Sequence, residues 1–101
     1  MFAARVQHTL RPEAMANENR ARFDADLMRW SDYLARQPGL DSLTVLLDGD
    51  GLLALSIWAD AASFQAALAH PDREAAGAPL ATWFAAPAEP DFPRMLHHRR
   101  P

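Results

Sequence analysis

The 101-residue sequence has a formal charge of −3 and is 50% apolar, so it is long enough for one small domain with its own core. So mild a charge gives no reason to expect nucleic acid or an anionic membrane as a partner. The absence of Cys excludes disulfides and thiolate chemistry, and because all 10 basic residues are Arg, Schiff-base catalysis by Lys is excluded too. No apolar run reaches membrane-spanning length and the N-terminus lacks a signal-peptide core, so the expected location is the cytoplasm.

Strand and helix periods alternate in the first half of the chain. Phe2 to Leu10 alternates between apolar and polar residues, which predicts a strand that Pro12 ends. From about Glu13 to Arg36 the period is helical, with the buried stripe Phe23, Leu27, Trp30 and Leu34. The other face of this helix carries opposite charges four residues apart, at Arg20/Asp24, Arg22/Asp26 and Asp32/Arg36.

A hairpin and a second helical region follow. Strands at Ser42–Asp48 and Leu52–Trp58 flank the turn Asp48-Gly49-Asp50-Gly51, where Gly tolerates positive φ. Asp60 can cap a helix that Pro71 ends. The remaining predicted elements are a second helical piece from about Asp72 to Phe84, a connector from Ala85 to Pro90, and a last strand from Asp91 to His98, at an edge because Pro93 lacks an N–H.

The predicted order is β-α-β-β-α-β, which is an α+β, ferredoxin-like plan: an antiparallel sheet with helices on one face. Residues 1–101 are expected to form one such domain. Leu46 and Leu52 lie on the sides of their strands opposite the main apolar faces, so apolar residues are expected on both sides of the sheet. A second subunit is the simplest cover for the other side, and we expect a homodimer.

The chain resembles the antibiotic biosynthesis monooxygenase (ABM-type) domains of the dimeric α+β barrel superfamily. The resemblance covers nearly the whole chain and depends on three motifs besides the element order. These are Gln37-Pro38-Gly39-Leu40 before the second strand, Ile57-Trp58-Ala59-Asp60 after the third, and Ser63-Phe64 followed by Leu68, His70 and Pro71.

The resemblance implies a homodimer whose sheets meet face to face, with a pocket between sheet and helices in each subunit. One branch of the family oxidises aromatic polyketides with O2 and uses no metal or flavin, so no cofactor is expected. Trp58 matches that branch, whereas Ala54 and Phe64 replace its Asn and Tyr. The haem-degrading branch uses an Asn, a Trp and a His where Val6, Ala67 and Gly77 stand, which argues against haem degradation.

Two residues are predicted to be catalytic. His8 lies on an apolar strand face, where a neutral imidazole can remove a phenolic proton, although a core or strand-end His with ordinary hydrogen bonds is an equal alternative. Trp58 can position an aromatic substrate through its ring and its indole N–H, or else it anchors strand to helix in the core. The residues predicted to contact the substrate are Trp30, Phe64, His70, Trp83 and Arg73.

Other polar residues have weaker predicted roles. Asn17 and Asn19 lie early in the first helix, where family pockets open, and Tyr33 is expected to be partly exposed. Either His97 or His98, but not both, can face inward, and the tail they begin is expected to be solvated or to contact a partner subunit. The histidine spacing matches no metal motif, so no metal site is predicted.

Three functions remain open. The first is a cofactor-independent monooxygenase acting on a small hydrophobic, aromatic or polyketide-like molecule, with His8 as base and Trp58, Phe64 and Trp30 as an apolar wall. The second is a non-catalytic ligand-binding or dimerisation module. The third is a lyase, isomerase or cyclase on the same barrel.

Overall fold

A computed structural model describes residues 1–99 of the chain, and Arg100 and Pro101 lie outside the described residues. Two short 3-10 turns, Pro12–Met15 and Asn17–Asn19, precede the first helix. The strands and helices are β1 (Phe2–Thr9), α1 (Arg20–Ala35), β2 (Leu40–Asp48), β3 (Gly51–Trp58), α2 (Ala61–Ala69) and α3 (Arg73–Ala81). No helix among residues 1–99 is long and apolar enough to cross a membrane.

The sheet is antiparallel with the strand order β1-β3-β2, so the last of the three strands lies in the middle. Phe2 lies opposite Trp58 and His8 opposite Leu52, which fixes the register of β1 on β3. The predicted hairpin between β2 and β3 is confirmed, and Gly49 has the positive φ of +59° that its tight turn needs. Helix α1 links β1 to β2 and thus returns the chain to the far edge of the sheet.

The helices cover one face of the sheet and form two core clusters with it. One cluster surrounds the end of β3 and contains Ala4, Tyr33, Leu34, Trp58, Phe64, Ala67 and Ala76. The other lies at the hairpin end and contains Leu10, Ala14, Phe23, Leu52, Leu80 and Trp83. Trp30 packs against both clusters from α1, so its ring lies between them. This arrangement agrees with the predicted ferredoxin-like plan.

The other face of the sheet is unevenly covered. Ala3 and Ile57 are buried on it, whereas Leu53 and Leu55 are partly exposed and Leu46 is 55% exposed. These side chains alternate with the core-facing ones along their strands, as the period of two requires. Leu46 lies on this outer face, whereas Leu52, which the sequence grouped with it as a residue of the second apolar face, is buried on the helix face in the hairpin-end cluster.

The predicted last strand, Asp91–His98, is wrong. Along residues 91–99 the structure has only an isolated bridge between Arg5 and Asp91, which a two-point contact of the Arg5 guanidinium with the Asp91 carboxylate reinforces. Residues 84–91, which precede most of the predicted strand, run along the free edge of β1. They are hydrogen-bonded to it at both ends. Ala85 donates its N–H to the carbonyl of Thr9, and Asp91 and Arg5 each donate a backbone N–H to the carbonyl of the other. Pro87, Pro90 and Pro93 lack an N–H, so a continuous ladder cannot form.

The first and last helical predictions also need correction. The helix predicted from Glu13 begins at Arg20, because residues 12–19 form the two 3-10 turns and Asn19 donates its side-chain N–H to the carbonyl of Glu13. The helical piece predicted to run to Phe84 ends at Ala81, shortly after Pro79. The break predicted at His70-Pro71 is confirmed, and Asp60 caps α2 by accepting the Ser63 N–H at 2.7 Å.

Candidate functional site

His8 lies on the helix face of β1 with one ring nitrogen buried and unsatisfied. Its ring stacks on Phe84 with centroids 3.7 Å apart and planes 5° apart. Its Nδ1 is buried and has no hydrogen-bond partner among the described residues. Burial lowers the pKa of His8 below its ordinary value, so the imidazole is neutral at pH 7 and Nδ1 can act as an acceptor or base.

The middle of the sheet beside His8 is open. Val6, Ala54 and Val45 lie side by side across the three strands on the helix face, and we call them the middle row. All three are partly exposed, although Leu52 and Ser56 are buried on either side of Ala54. Solvent therefore reaches the sheet between the two core clusters, in the place where the family resemblance implies a pocket.

Trp58 lies away from this opening. It is 1% exposed, its indole N–H donates to Ser56 Oγ at 2.8 Å, and the Ser56 hydroxyl donates to the carbonyl of Ala4 at 3.4 Å. The register puts Trp58 opposite Phe2, six residues from His8, or about 20 Å along the strand. His8 and Trp58 therefore do not meet in one site.

Phe64 belongs to the Trp58 end of the sheet as well. Its ring lies edge-on to Trp58 at 5.8 Å and edge-on to Phe92 at 5.6 Å, and Phe2 completes the aromatic group. Of the predicted wall of Trp58, Phe64 and Trp30, the first two are thus distant from His8. Sequence reasoning missed Phe84 and Phe92 because their neighbours come from β1 and α2, more than 25 positions away.

Trp83 packs on the outer side of the hairpin-end cluster. Its indole N–H donates to the Asp26 carboxylate at 2.9 Å, and the Arg22 guanidinium lies 5.4 Å from its ring. The predicted Arg22/Asp26 ion pair is therefore wrong, since Arg22 donates to Asn19 and Asp26 accepts from Trp83. Arg22, Asp26 and Trp83 line an open cleft of about 620 Å³, together with Arg11, Glu13 and the end of α3.

His70 lines a different cleft, also of about 620 Å³, between the end of α1 and the start of α3. We call it the α1–α3 cleft; its lining consists of Arg29, Tyr33, Arg36, Gln37, Pro38, His70, Asp72, Ala75 and Ala76. Arg73 begins α3 beside it, close enough to Tyr33 to act on the phenol electrostatically.

The expectation that Tyr33 is partly exposed is wrong. Tyr33 is 2% exposed, and its hydroxyl donates to the carbonyl of Ala67 at 2.6 Å, which ties α1 to α2. Burial raises the pKa of Tyr33, so the phenol stays protonated. Arg29, Tyr33 and Arg36 were not predicted as a group, although their i, i+4, i+7 spacing puts them on one helix face.

The remaining polar candidates lie at the surface. The side chain of Asn19 holds the turn before α1, and Asn17 begins that turn. His98 binds the Asp41 carboxylate at 2.8 Å, so the end of the described chain reaches the start of β2, whereas His97 is exposed. Among residues 1–99, no three His, Asp or Glu side chains are grouped so that they could hold a metal ion.

Solved structures identify the class of fold to which this sheet and its helices belong. No protein-family model matches the sequence, and no curated protein matches it. The chain has the fold of the antibiotic biosynthesis monooxygenase proteins, which confirms the resemblance found in the sequence.

The individual matches extend over nearly the full length of each chain. SnoaB, a cofactor-independent oxygenase from Streptomyces nogalater, superposes with a TM-score of 0.78 at 20% identity over 96% of this chain and 94% of its own. A protein from Nitrosomonas europaea, provisionally named an antibiotic biosynthesis monooxygenase, gives 0.75 at 13% identity over 96% and 100%. At these identities the similarity establishes the fold.

Proposed function

We propose that this chain is an ABM-type small-molecule enzyme, a cofactor-independent monooxygenase acting on a hydrophobic aromatic or polyketide-like substrate over the middle row. The observation that carries the proposal is the buried, unpartnered Nδ1 of His8 beside partly exposed Val6 and Ala54. Buried polar atoms are nearly always hydrogen-bonded. An unpartnered nitrogen beside the partly exposed middle row therefore favours a bound ligand as its missing hydrogen-bond partner. Fold similarity to a cofactor-independent oxygenase supports the same class.

The proposed reaction needs a base and an apolar enclosure. Neutral His8 takes a proton from an activated C–H of the substrate, and the resulting anion transfers its electrons to O2. The peroxide anion that forms takes the proton back from the His8 imidazolium, and the resulting hydroperoxide loses water. In total, one CH2 group and one O2 give one carbonyl and one H2O. His8 thus ends the cycle neutral, and the oxidant is O2 itself.

The wall of this site differs from the one predicted from the sequence. We assign substrate contact to Phe84, whose ring already stacks on His8, and to Trp30, which lies between the two core clusters. Trp58 and Phe64 support the other end of the sheet in this proposal. His70 and Arg73 belong to the α1–α3 cleft, and the N–H of Trp83 is bonded to Asp26.

The test is oxygen uptake with a panel of hydroxylated anthrones. His8→Ala and His8→Gln are expected to lower kcat/KM by about 100-fold or more, the usual contribution of a positioned base. His97→Ala, which removes an exposed histidine, is the matched control and should keep the wild-type rate. Circular dichroism verifies that each variant is folded. Absence of turnover by the wild type, or full turnover by both His8 variants, would disprove the proposal.

The pH profile gives a further readout of the same base. Because burial lowers the pKa of His8, a larger fraction of it is in the reactive neutral form at pH 6.5 than of an ordinary imidazole, which is half protonated there. The rate should therefore fall at acidic pH with a midpoint below pH 6.5. Any residual rate of the His8→Gln variant should no longer show this fall at acidic pH. An acid limb centred above pH 6.5 would contradict the assignment.

The two alternatives predict different results in this assay. A lyase, isomerase or cyclase would convert substrate without consuming O2 in a 1:1 ratio. A non-catalytic binding module would bind anthrones without turnover, and one observation favours it: Ala54 supplies no polar group at the centre of the opening, while the Trp58 N–H is bonded to Ser56. The cytoplasmic location stays a prediction.

We propose further that the chain forms a homodimer through the outer face of its sheet. The partly exposed Leu53 and Leu55 and the exposed Leu46 support this, because a small monomer rarely leaves such side chains together in water. The family resemblance found in the sequence implies the same arrangement.

A further inference from the structure

The α1–α3 cleft contains two arginines with free guanidinium groups. Arg29 and Arg36 both line it, and neither guanidinium group has a hydrogen bond or ion pair with any of residues 1–99. The ion pair that the sequence predicted between Asp32 and Arg36 is not formed. Of the three ion pairs predicted along α1, the one present is Arg20–Asp24, at 3.9 Å. Two guanidinium groups are therefore available in one concave site.

The other cleft of about the same volume differs in the state of its arginines. There Arg11 donates to the carbonyl of Phe84 at 2.9 Å, and Arg22 donates to Asn19 at 2.9 Å. Because each guanidinium group of that cleft already donates to the protein, and because Glu13 and Asp26 also line it, that cleft offers less to an anion. The α1–α3 cleft has the same size and unoccupied donors.

His70 adds a third donor of defined orientation. Its Nδ1 accepts the backbone N–H of Asp72 at 3.0 Å, so in the neutral ring the proton is on Nε2. Asp72 is the acidic side chain of the lining, which leaves the cleft with a formal charge of +1 when Arg29 and Arg36 are counted. The donors and the charge both favour a negatively charged ligand.

The rest of the lining is apolar apart from Gln37, whose side-chain amide donates to the carbonyl of Tyr33 at 3.2 Å. Tyr33 lies between the two arginines on α1, its ring stacks on Trp30 at 5.3 Å, and its hydroxyl is bonded to the backbone of α2. Ala75 and Ala76 form the opposite wall, and the neighbouring Gly77 lets α3 lie close to α1, since a Cβ there would come within 3.2 Å of the Trp30 ring. A volume of about 620 Å³ is within the usual range for small-molecule sites.

We propose that the α1–α3 cleft is a binding site for a small organic anion, a carboxylate or phosphate on a short apolar or aromatic body. The anionic group lies between Arg29 and Arg36, whose Cα atoms are about 10 Å apart along the helix, within reach of two long side chains turned toward each other. The apolar body packs against the exposed Pro38 and Ala75 of the lining, with the buried Tyr33 behind them. This site lies outside the middle row and its occupancy does not depend on the oxygenase proposal.

The test is a titration of the wild-type protein, observed by 1H–15N NMR, with sodium benzoate and with phenyl phosphate, and with benzamide as the uncharged probe. Benzoate or phenyl phosphate should give saturable shifts at the amides of Gln37, His70 and Ala76, and the tighter of the two identifies the anion class. Benzamide should bind at least about tenfold more weakly.

Matched variants locate the anion. The double variant Arg29→Gln/Arg36→Gln should weaken binding by about tenfold or more, whereas Arg20→Gln, on the same helix but outside the cleft, should change it less than about twofold. All these side chains are at the surface, so the variants should fold. Absence of saturable shifts at the cleft, equal binding of benzamide, or an unaffected double variant would overturn the proposal.

Discussion

Trp58 shows how one buried polar atom is satisfied within a strand. Its N–H donates to Ser56 Oγ, two residues earlier on the same face of β3, and the Ser56 hydroxyl in turn donates a hydrogen bond to the carbonyl of Ala4 on β1. This short chain of bonds is dry, since Trp58 is 1% and Ser56 8% exposed. The indole is thereby a structural anchor at the end of the sheet.

Replacing Ser56 with Ala should destabilise the protein by about 1–3 kcal/mol, because the indole N–H is left buried without an acceptor. Urea unfolding measures the change in the free energy of unfolding. Ser42→Ala on the edge strand β2, a partly exposed site, is the control and should cost less than about 0.5 kcal/mol.

A double-mutant cycle tests the cause of that loss. In the Trp58→Phe background, which has no N–H to orphan, Ser56→Ala should cost clearly less than in the wild type. Equal costs in both backgrounds would mean that Ser56 acts through packing and not through the indole.

At the scale of elements, the turn between α1 and β2 fixes where α2 begins. Gly39 has a φ of +88°, and its carbonyl accepts the N–H of Ala59 at 2.7 Å, directly before the capping residue Asp60. A Cβ at position 39 would overlap the side chain of Ser63 in the first turn of α2. Gly39 thus permits a close approach as well as an unusual backbone conformation.

Gly39→Ala should therefore destabilise the protein more than Gly49→Ala does. Gly49 has a φ of +59° but nothing within 4 Å of its added Cβ, so its substitution should cost about 1 kcal/mol for backbone strain alone. Gly39→Ala adds the collision with Ser63, and a total of about 2–4 kcal/mol is expected. Thermal or urea unfolding compares the two, and equal losses would show that Ser63 moves aside freely.

The whole molecule has one well-covered and one poorly covered sheet face. Helices cover the inner face, whereas on the outer face Leu46 is 55% exposed and Leu55 partly so. A small domain gains proportionally more than a large one from burying such surface in a subunit contact.

If the outer face forms the homodimer, the wild type should run as a dimer in size-exclusion chromatography with light scattering, and Leu46→Arg/Leu55→Arg should shift it to monomer. Burying two unpaired charges in an apolar contact costs several kcal/mol, enough to dissociate most dimers. Met28→Arg is a control of equal exposure, 55%, on α1 and should stay dimeric. A monomeric wild type, or a dimeric double variant, would refute the proposed interface.

The sequence by itself determined the elements that short-range patterns control. The period of two in β1 and β3, the period of the α1 stripe, the Gly-containing hairpin turn and the Asp60 cap each depend on neighbouring residues, and each is present in the structure. Together they were enough to identify the ABM-type fold.

The tertiary structure decided which distant groups meet. Phe84 reaches His8 and Arg5 reaches Asp91 only because the segment after α3 returns along the edge of β1. The separation of His8 from Trp58 follows from the antiparallel register. A local pattern specifies what each residue can bind, whereas chain topology specifies what it can reach.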